Sequence, residues 1–232
     1  DITFIEGAPI TKENIASLKK IRKNTRYLVP IGACACLGGI AEIKNYLDKE
    51  NVIKYVYPHT QIGHYFSPNA GKSQKDPYGG VGVYRNIELI NNPDIKPVSA
   101  YVPADLEIPG CPINKEEFFI LAKKLISFIS AGQPISNIKI PQRPVCYECQ
   151  LKENRCLLQN NQPCFGPIML GGCNAPCPTS GYPCDGCRGP LREPIATENL
   201  KKILAKNFSG REVDKILERF GVLDQLEEKL KN

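Results

Sequence analysis

The chain reads as an α/β fold with a parallel sheet in its N-terminal part, followed by an irregular, cysteine-rich region that ends in helices. Three observations carry this reading. Strand-like and helix-like segments alternate up to about residue 130, and repeated βα units with helical crossovers imply parallel strands. That pattern stops at AGQPISNIKIPQRPV (131–145), rich in proline and polar residues. Beyond it, eight of the eleven cysteines fall between Cys146 and Cys187, with almost no hydrophobic periodicity. A boundary near 135–140 is expected, dividing the chain into domains 1–135 and 136–232.

Each element has its own justification. Ile2–Glu6 reads as a buried strand, and a helix follows from about Thr11 with Ile15, Leu18 and Ile21 on one face. YLVPIGACAC is a second strand running into a cysteine loop; Pro30 within it predicts an edge or a bulge. Gly38-Gly39 then opens a helix with Ile40, Ile43 and Leu47 at helical spacing. His59 to Lys96 is loop-rich. VSAYVPADLEIPGC predicts one or two extended segments ending at Cys111. Asn114 and Glu117 begin a capped helix with Phe118, Leu121, Leu125 and Ile129 inward, closed by Gly132. After Pro194 one helix carries Leu200, Ile203 and Leu204; another, capped by Ser209 and Glu212, carries Val213, Ile216 and Leu217. These charged terminal helices are expected to present a solvated face.

Composition bounds the function. The formal charge of +6 is spread along the sequence, with no run of five or more basic residues, so nothing points to nucleic acid. No apolar run reaches the length of a membrane span. The chain begins at Asp1 with a strand-like segment already under way, so a missing N-terminal segment is expected. A disulfide framework usually serves a short secreted domain that cannot build a core, and the N-terminal part has apolar residues enough for one.

From Cys146 the spacing is C-x2-C-x6-C-x7-C-x8-C-x3-C-x6-C-x2-C. It divides into Cys146, Cys149, Cys156 and Cys164, then Cys173, Cys177, Cys184 and Cys187. Four thiolates per set suit either tetrahedral zinc or a cubane iron–sulfur cluster. Glycines and prolines crowd these cysteines, including Gly166-Pro167, Gly171-Gly172, Pro176, Pro178 and Gly186. Such residues let the backbone wrap a bulky cluster and aim N–H groups at its sulfides, so iron is favoured and zinc stays open. Cys34 and Cys111 each follow an extended segment, where loops at the carboxyl ends of parallel strands converge. They fit a shared metal centre or, equally, two small apolar residues.

Taken together, GACACLGG (32–39), IPGCPIN (108–114) and the Cys146–Cys187 pattern ending in CDGCRGP resemble the small, electron-transferring subunit of NiFe hydrogenases. The resemblance covers essentially the whole chain. It is greatest to the cytoplasmic group that includes the viologen-reducing hydrogenases of methanogens and the delta subunit of sulfhydrogenases. It implies a flavodoxin-like N-terminal domain, here without its first βα segment, that holds a proximal 4Fe–4S cluster facing the Ni–Fe centre of a large subunit. Cys34 and Cys111 match two of its ligands. The C-x2-C pair supplying the other two has no counterpart here, so a complete proximal cluster is expected only with that segment. Cys36 falls where the motif requires nothing. Cys146, Cys149, Cys156 and Cys164 match the ligands of a distal cluster; Cys173, Cys177, Cys184 and Cys187 match those of a medial one. In the periplasmic branch, histidine replaces the first distal ligand and a proline in the medial set leaves a 3Fe–4S cluster. Cys146 and Cys177 stand at those positions, so two all-cysteine 4Fe–4S clusters are implied.

The implied partners are the large subunit and a flavin- or iron–sulfur-containing subunit, in the cytoplasm. The related small subunit of respiratory complex I keeps only the proximal cluster, which eight further cysteines argue against. The alternative of another class is a zinc-stabilised, non-catalytic binding module. AGKS (70–73), GGVGVYRN (79–86), the pair His59 and His64, and the Asn207–Ser209 sequon are weaker signals, read as loop or surface features.

Overall fold

The computed structural model describes residues 1–56, 94–151, 153, 155–192 and 208–231, the last segment with side chains to 226. AGKS (70–73), GGVGVYRN (79–86), His59, His64, Asn207 and the helix expected around Leu200 lie outside these residues.

Strand β1 (Ile2–Glu6) and strand β2 (Tyr27–Ile31) pair in parallel, Ile2 opposite Tyr27 and Glu6 opposite Ile31. Helix α1 (Lys12–Asn24) is the crossover between them. Thr11 and Asn14 close a reciprocal capping box at its start, each side chain satisfying the other's backbone N–H. Leu18 is buried on its inner face, while Ile21 is exposed. Against expectation β1 is only half-buried, with Phe4 38% exposed. Its one described strand neighbour is β2, and its outer side meets the helix that carries Phe118, through a Phe4–Phe118 ring contact at 5.4 Å.

On the far side of β2 runs the segment ending at Ile108. The carbonyls of Leu28 and Pro30 accept from Asp105 and Ile108 at 2.9 and 3.0 Å, and Gly32 donates to Ile108 at 2.9 Å. Only one bridge forms here, Ile31 with Ile108. Pro30 has no N–H to donate toward this side, so the ladder cannot extend into a full strand. The expected extended segments therefore reduce to this bridge, and Val98–Ala100 is a 3-10 turn.

The expected cysteine loop is instead a short helix, α2 (Gly32–Leu37). Gly38 and Gly39, at φ +88° and +60°, end it. The next element is a 3-10 helix, Gly39–Tyr46, rather than an amphipathic α-helix. Ile40 and Leu47 are 53% and 48% exposed, and Glu42 turns inward at 3%. Helix α3 (Lys49–Val56) comes after it, anchored by buried Ile53. Helix α4 (Lys115–Ser130) matches expectation: Asn114 accepts the N–H groups of Glu116 and Glu117, and Leu121 and Leu125 are buried with Phe118 and Ile129 packed beside them.

The N-terminal core gathers Val29, Ile108, Leu121, Leu125, Ile135 and Ile138. The cysteine-rich region contains a single helical turn, α5 (Pro176–Thr179), and a separate core built on Val145, Phe165, Ile168 and Met169. Helices α6 (Gly210–Glu218) and α7 (Val222–Lys231) supply Leu217, Val222 and Leu226 to it. These terminal helices therefore bury one face as well as solvating the other. Burying a side chain such as Leu217 contributes about 2 kcal/mol. The Ser209–Glu212 capping box starts α6 as expected.

Candidate metal centres

All eleven cysteines are free thiols, which removes the disulfide reading. Ten of them gather into three neighbouring groups.

Cys34 and Cys111 form the first. Cys34 sits in α2, and Cys111 follows the bridge at Ile108. Ala33 donates to Gly110 at 2.9 Å, tying the two loops together beside the Gly32–Ile108 bond. Burial and then the charge of Cys34 push the Cys111 thiol up. A Cβ at Gly39 would lie 2.8 Å from Cys34 Sγ and 2.7 Å from its Cα, so the glycine after the cysteine segment is needed to let the backbone close over it. Cys36, the eleventh, is buried and faces away, its thiol donating to the Pro30 carbonyl at 3.5 Å.

Cys146, Cys149, Cys156 and Cys164 all line one cavity, closed by Val145, Leu157, Leu158, Gly166, Pro167 and Pro178. A Cβ at Gly166 would approach Cys146 Sγ at 3.2 Å and Cys164 Sγ at 3.6 Å. Burial, with the neighbouring charges of Cys164, Cys156 and Cys149, pushes the Cys146 thiol up to about 12.

Cys173, Cys177, Cys184 and Cys187 form the third group. Cys177 lies in α5, which is entered through Ala175 in the left-handed conformation. Burial pushes the Cys187 thiol up to about 11, reinforced by the charges of Cys173, Cys177 and Cys111. Cys184 is raised by burial and by the charges of Cys164, Cys187 and Cys173. Without a cation, thiols so crowded and buried resist ionisation; a metal that binds thiolates removes that cost.

Backbone N–H groups point at several of these sulfurs. Cys184 donates to Cys164 Sγ at 3.4 Å. The N–H groups of Gly166, Ala175, Gly186 and Cys111 face the thiols of Cys164, Cys173, Cys184 and Cys187. N–H groups directed at sulfur help set the potential of an iron–sulfur cluster, so this donor set fits such a group. Tetrahedral zinc, with bonds of about 2.3 Å, needs its sulfurs close around one ion. Among the described residues, no three cysteine, histidine or acidic side chains are so arranged.

Two residues that brace the cysteine-bearing loops were assigned no role from the sequence. Glu148 accepts the N–H groups of Gly172 and Asn174 at 2.6 and 2.8 Å, bracketing Cys173. Arg188, within CDGCRGP, is buried and spans two loops. A charged residue inside a cysteine motif is the only sequence signal for either.

The chain belongs to the family of the 20 kDa subunit of NADH–ubiquinone oxidoreductase, whose model matches residues 1–125. It is 34% identical over 217 residues to the delta subunit of sulfhydrogenase 2 of Pyrococcus furiosus, covering 92% of this chain and 77% of that one. It is 27% identical over 207 residues to a subunit of the vhu F420-non-reducing hydrogenase of Methanocaldococcus jannaschii, covering 82% of this chain and 64% of that one. With a subunit of the F420-non-reducing hydrogenase of Methanothermobacter thermautotrophicus it shares 24% over 251 residues, 98% of this chain and 74% of the other. The likeness to hydrogenase subunits therefore continues past residue 125 into the cysteine-rich region. Among the described residues no helix is long and apolar enough to cross a membrane.

Proposed function

We propose that this chain is the electron-transfer subunit of a cytoplasmic NiFe hydrogenase complex. It relays electrons between the Ni–Fe site of a large subunit and a flavin- or iron–sulfur-containing partner during reversible oxidation of H2. Cys34 and Cys111 supply two ligands of a proximal 4Fe–4S cluster, which is complete only where a C-x2-C pair adds the other two. Cys173, Cys177, Cys184 and Cys187 hold a medial cluster, and Cys146, Cys149, Cys156 and Cys164 a distal one. Residues 1–135 form the proximal-cluster domain and 136–232 the domain of the other two. Bound clusters would supply one-electron carriers; the chain's own work is to hold, space and insulate them.

The observation that carries this reading is the order of contact between the three thiol groups. Cys111 faces Cys34 on one side, and its N–H faces the Cys187 thiol on the other. The N–H of Cys184 in turn bonds to Cys164. The Cys34/Cys111 group thus adjoins the Cys173–Cys187 group, which adjoins the Cys146–Cys164 group, an order that supports a relay over an array of independent structural zinc sites. The sulfhydrogenase and F420-non-reducing hydrogenase relatives support the hydrogenase assignment.

The test is metal and acid-labile sulfide analysis of the complex purified anaerobically. About eight irons with matching sulfide in the medial and distal sites are expected, about twelve with the proximal cluster complete. Stoichiometric zinc without sulfide would sink the proposal in favour of a zinc-stabilised binding module.

A further inference from the structure

Arg188 directly follows Cys187, and its side chain is 2% exposed. Its guanidinium makes four hydrogen bonds in three directions. Nε donates to the Gly171 carbonyl at 2.9 Å, and Nη1 to the Pro109 carbonyl at 2.7 Å. Nη1 and Nη2 each meet one carboxylate oxygen of Glu117 at 2.7 Å. Pro109 lies two residues before Cys111, and Gly171 two residues before Cys173. Glu117 is in the first turn of α4, where the helix dipole favours a negative charge. One side chain thus ties the Cys111 loop, the Cys173 loop and the Cys187 backbone to a helix.

The packing leaves room for this fork and little else. A Cβ at Gly172 would stand 2.7 Å from Arg188 Nη2 and 2.6 Å from Glu117 Oε1. One at Gly110 would stand 3.0 Å from the Pro112 carbonyl oxygen and 3.6 Å from Nη1. Both glycines have positive φ, +111° and +149°, so a side chain at either is strained as well as crowded. Lysine cannot replace the fork, because a point charge does not satisfy two loop carbonyls and both carboxylate oxygens at once.

We propose that Arg188 is a positioning residue for electron transfer between the proximal and medial sites: its guanidinium fixes the spacing of the two cysteine loops, and its pairing with Glu117 sets the charge balance between them. This rests on the proposed cluster assignment. Its test is Arg188→Gln and Glu117→Gln in the full-length chain within its complex, followed by iron and sulfide content and by EPR redox titration of the medial cluster. R188Q leaves a carboxylate uncompensated and lowers the potential, whereas E117Q leaves a guanidinium uncompensated and raises it. Each shift is about tenfold in the reduced-to-oxidised ratio, about 59 mV for a one-electron couple.

With clusters retained, shifts of the same sign in both variants, or none in either, overturn the inference and leave the cluster assignment standing. A wild-type complex without iron and sulfide overturns the assignment itself. Should R188Q fail to accumulate, Arg188→Lys decides. Its potential stays near wild type because the charge is kept, while proximal-to-medial transfer after rapid reduction slows severalfold; unchanged transfer overturns the positioning role.

Discussion

The backbone N–H of Cys184 donates to Sγ of Cys164 at 3.4 Å, so a residue of one four-cysteine set is hydrogen-bonded to a thiol of the other. The donor is main chain, and replacing the Cys184 side chain leaves it in place. Cys164→Ala removes the acceptor as well as a proposed ligand. C164A is expected to lose about four irons, with the medial signal retained at an altered potential, and C184A to lose the other four. Iron determination with EPR checks this. Loss of all iron in both variants would show one interdependent site rather than two.

Glu148 bridges 24 residues to accept from Gly172 and 26 to accept from Asn174. Hydrogen bonds to a charged acceptor contribute about 2 kcal/mol. Glu148→Ala should therefore speed backbone hydrogen exchange in 171–175 by about thirtyfold, and Glu148→Gln, which keeps one acceptor oxygen, by less. Unchanged exchange in E148A would remove the bracing role.

Glu42 carries a pH dependence. Burial, reinforced by the charge of Asp224 and opposed by Lys96, raises its carboxyl to about 7. Its Oε2 has no hydrogen-bond partner among the described residues. The folded chain thus favours the protonated acid. The associated stability is full below the unfolded carboxyl value and is lost as pH rises toward 7. Glu42→Gln should lack this dependence and exceed wild type above pH 7 by up to about 3 kcal/mol. Denaturant unfolding at pH 5 and pH 8 measures it; the same difference between wild type and E42Q at both values would refute it.

Cys36 is buried, and that burial pushes its thiol far above the ordinary range. Such a thiol behaves as a small apolar residue. Cys36→Ala is expected to leave iron content unchanged and to cost about 1 kcal/mol for the small void. Cys34→Ala, by contrast, should abolish the proximal signal of a complex in which that cluster is complete. Loss of iron in C36A would make it a ligand.

Much of this was legible from residues alone because the signals are local. Asn114 and Ser209 cap helices through bonds that span three residues or fewer, the first helix starts at Thr11 as expected, and Leu121 and Leu125 follow a helical period. The segment after Gly38 misled for a physical reason. Ile40, Ile43 and Leu47 have helical spacing, yet the paired positive-φ glycines reset the chain into a 3-10 turn that sends Glu42 inward. The buried strand expected at Ile2–Glu6 is half-exposed because burial depends on what covers a strand, which lies elsewhere in the chain.

By itself the sequence determined the number and spacing of the cysteines and the glycines beside them, a linear pattern from which the proposed thiolate ligands are read. Tertiary structure alone decided how the three thiol groups adjoin. Cys111 and Cys187 are distant in the chain, as are Cys164 and Cys184 on a smaller scale, and Arg188 reaches Pro109 and Glu117 across 79 and 71 residues. Such contacts arise from the packing of whole elements, and no local propensity or spacing encodes them.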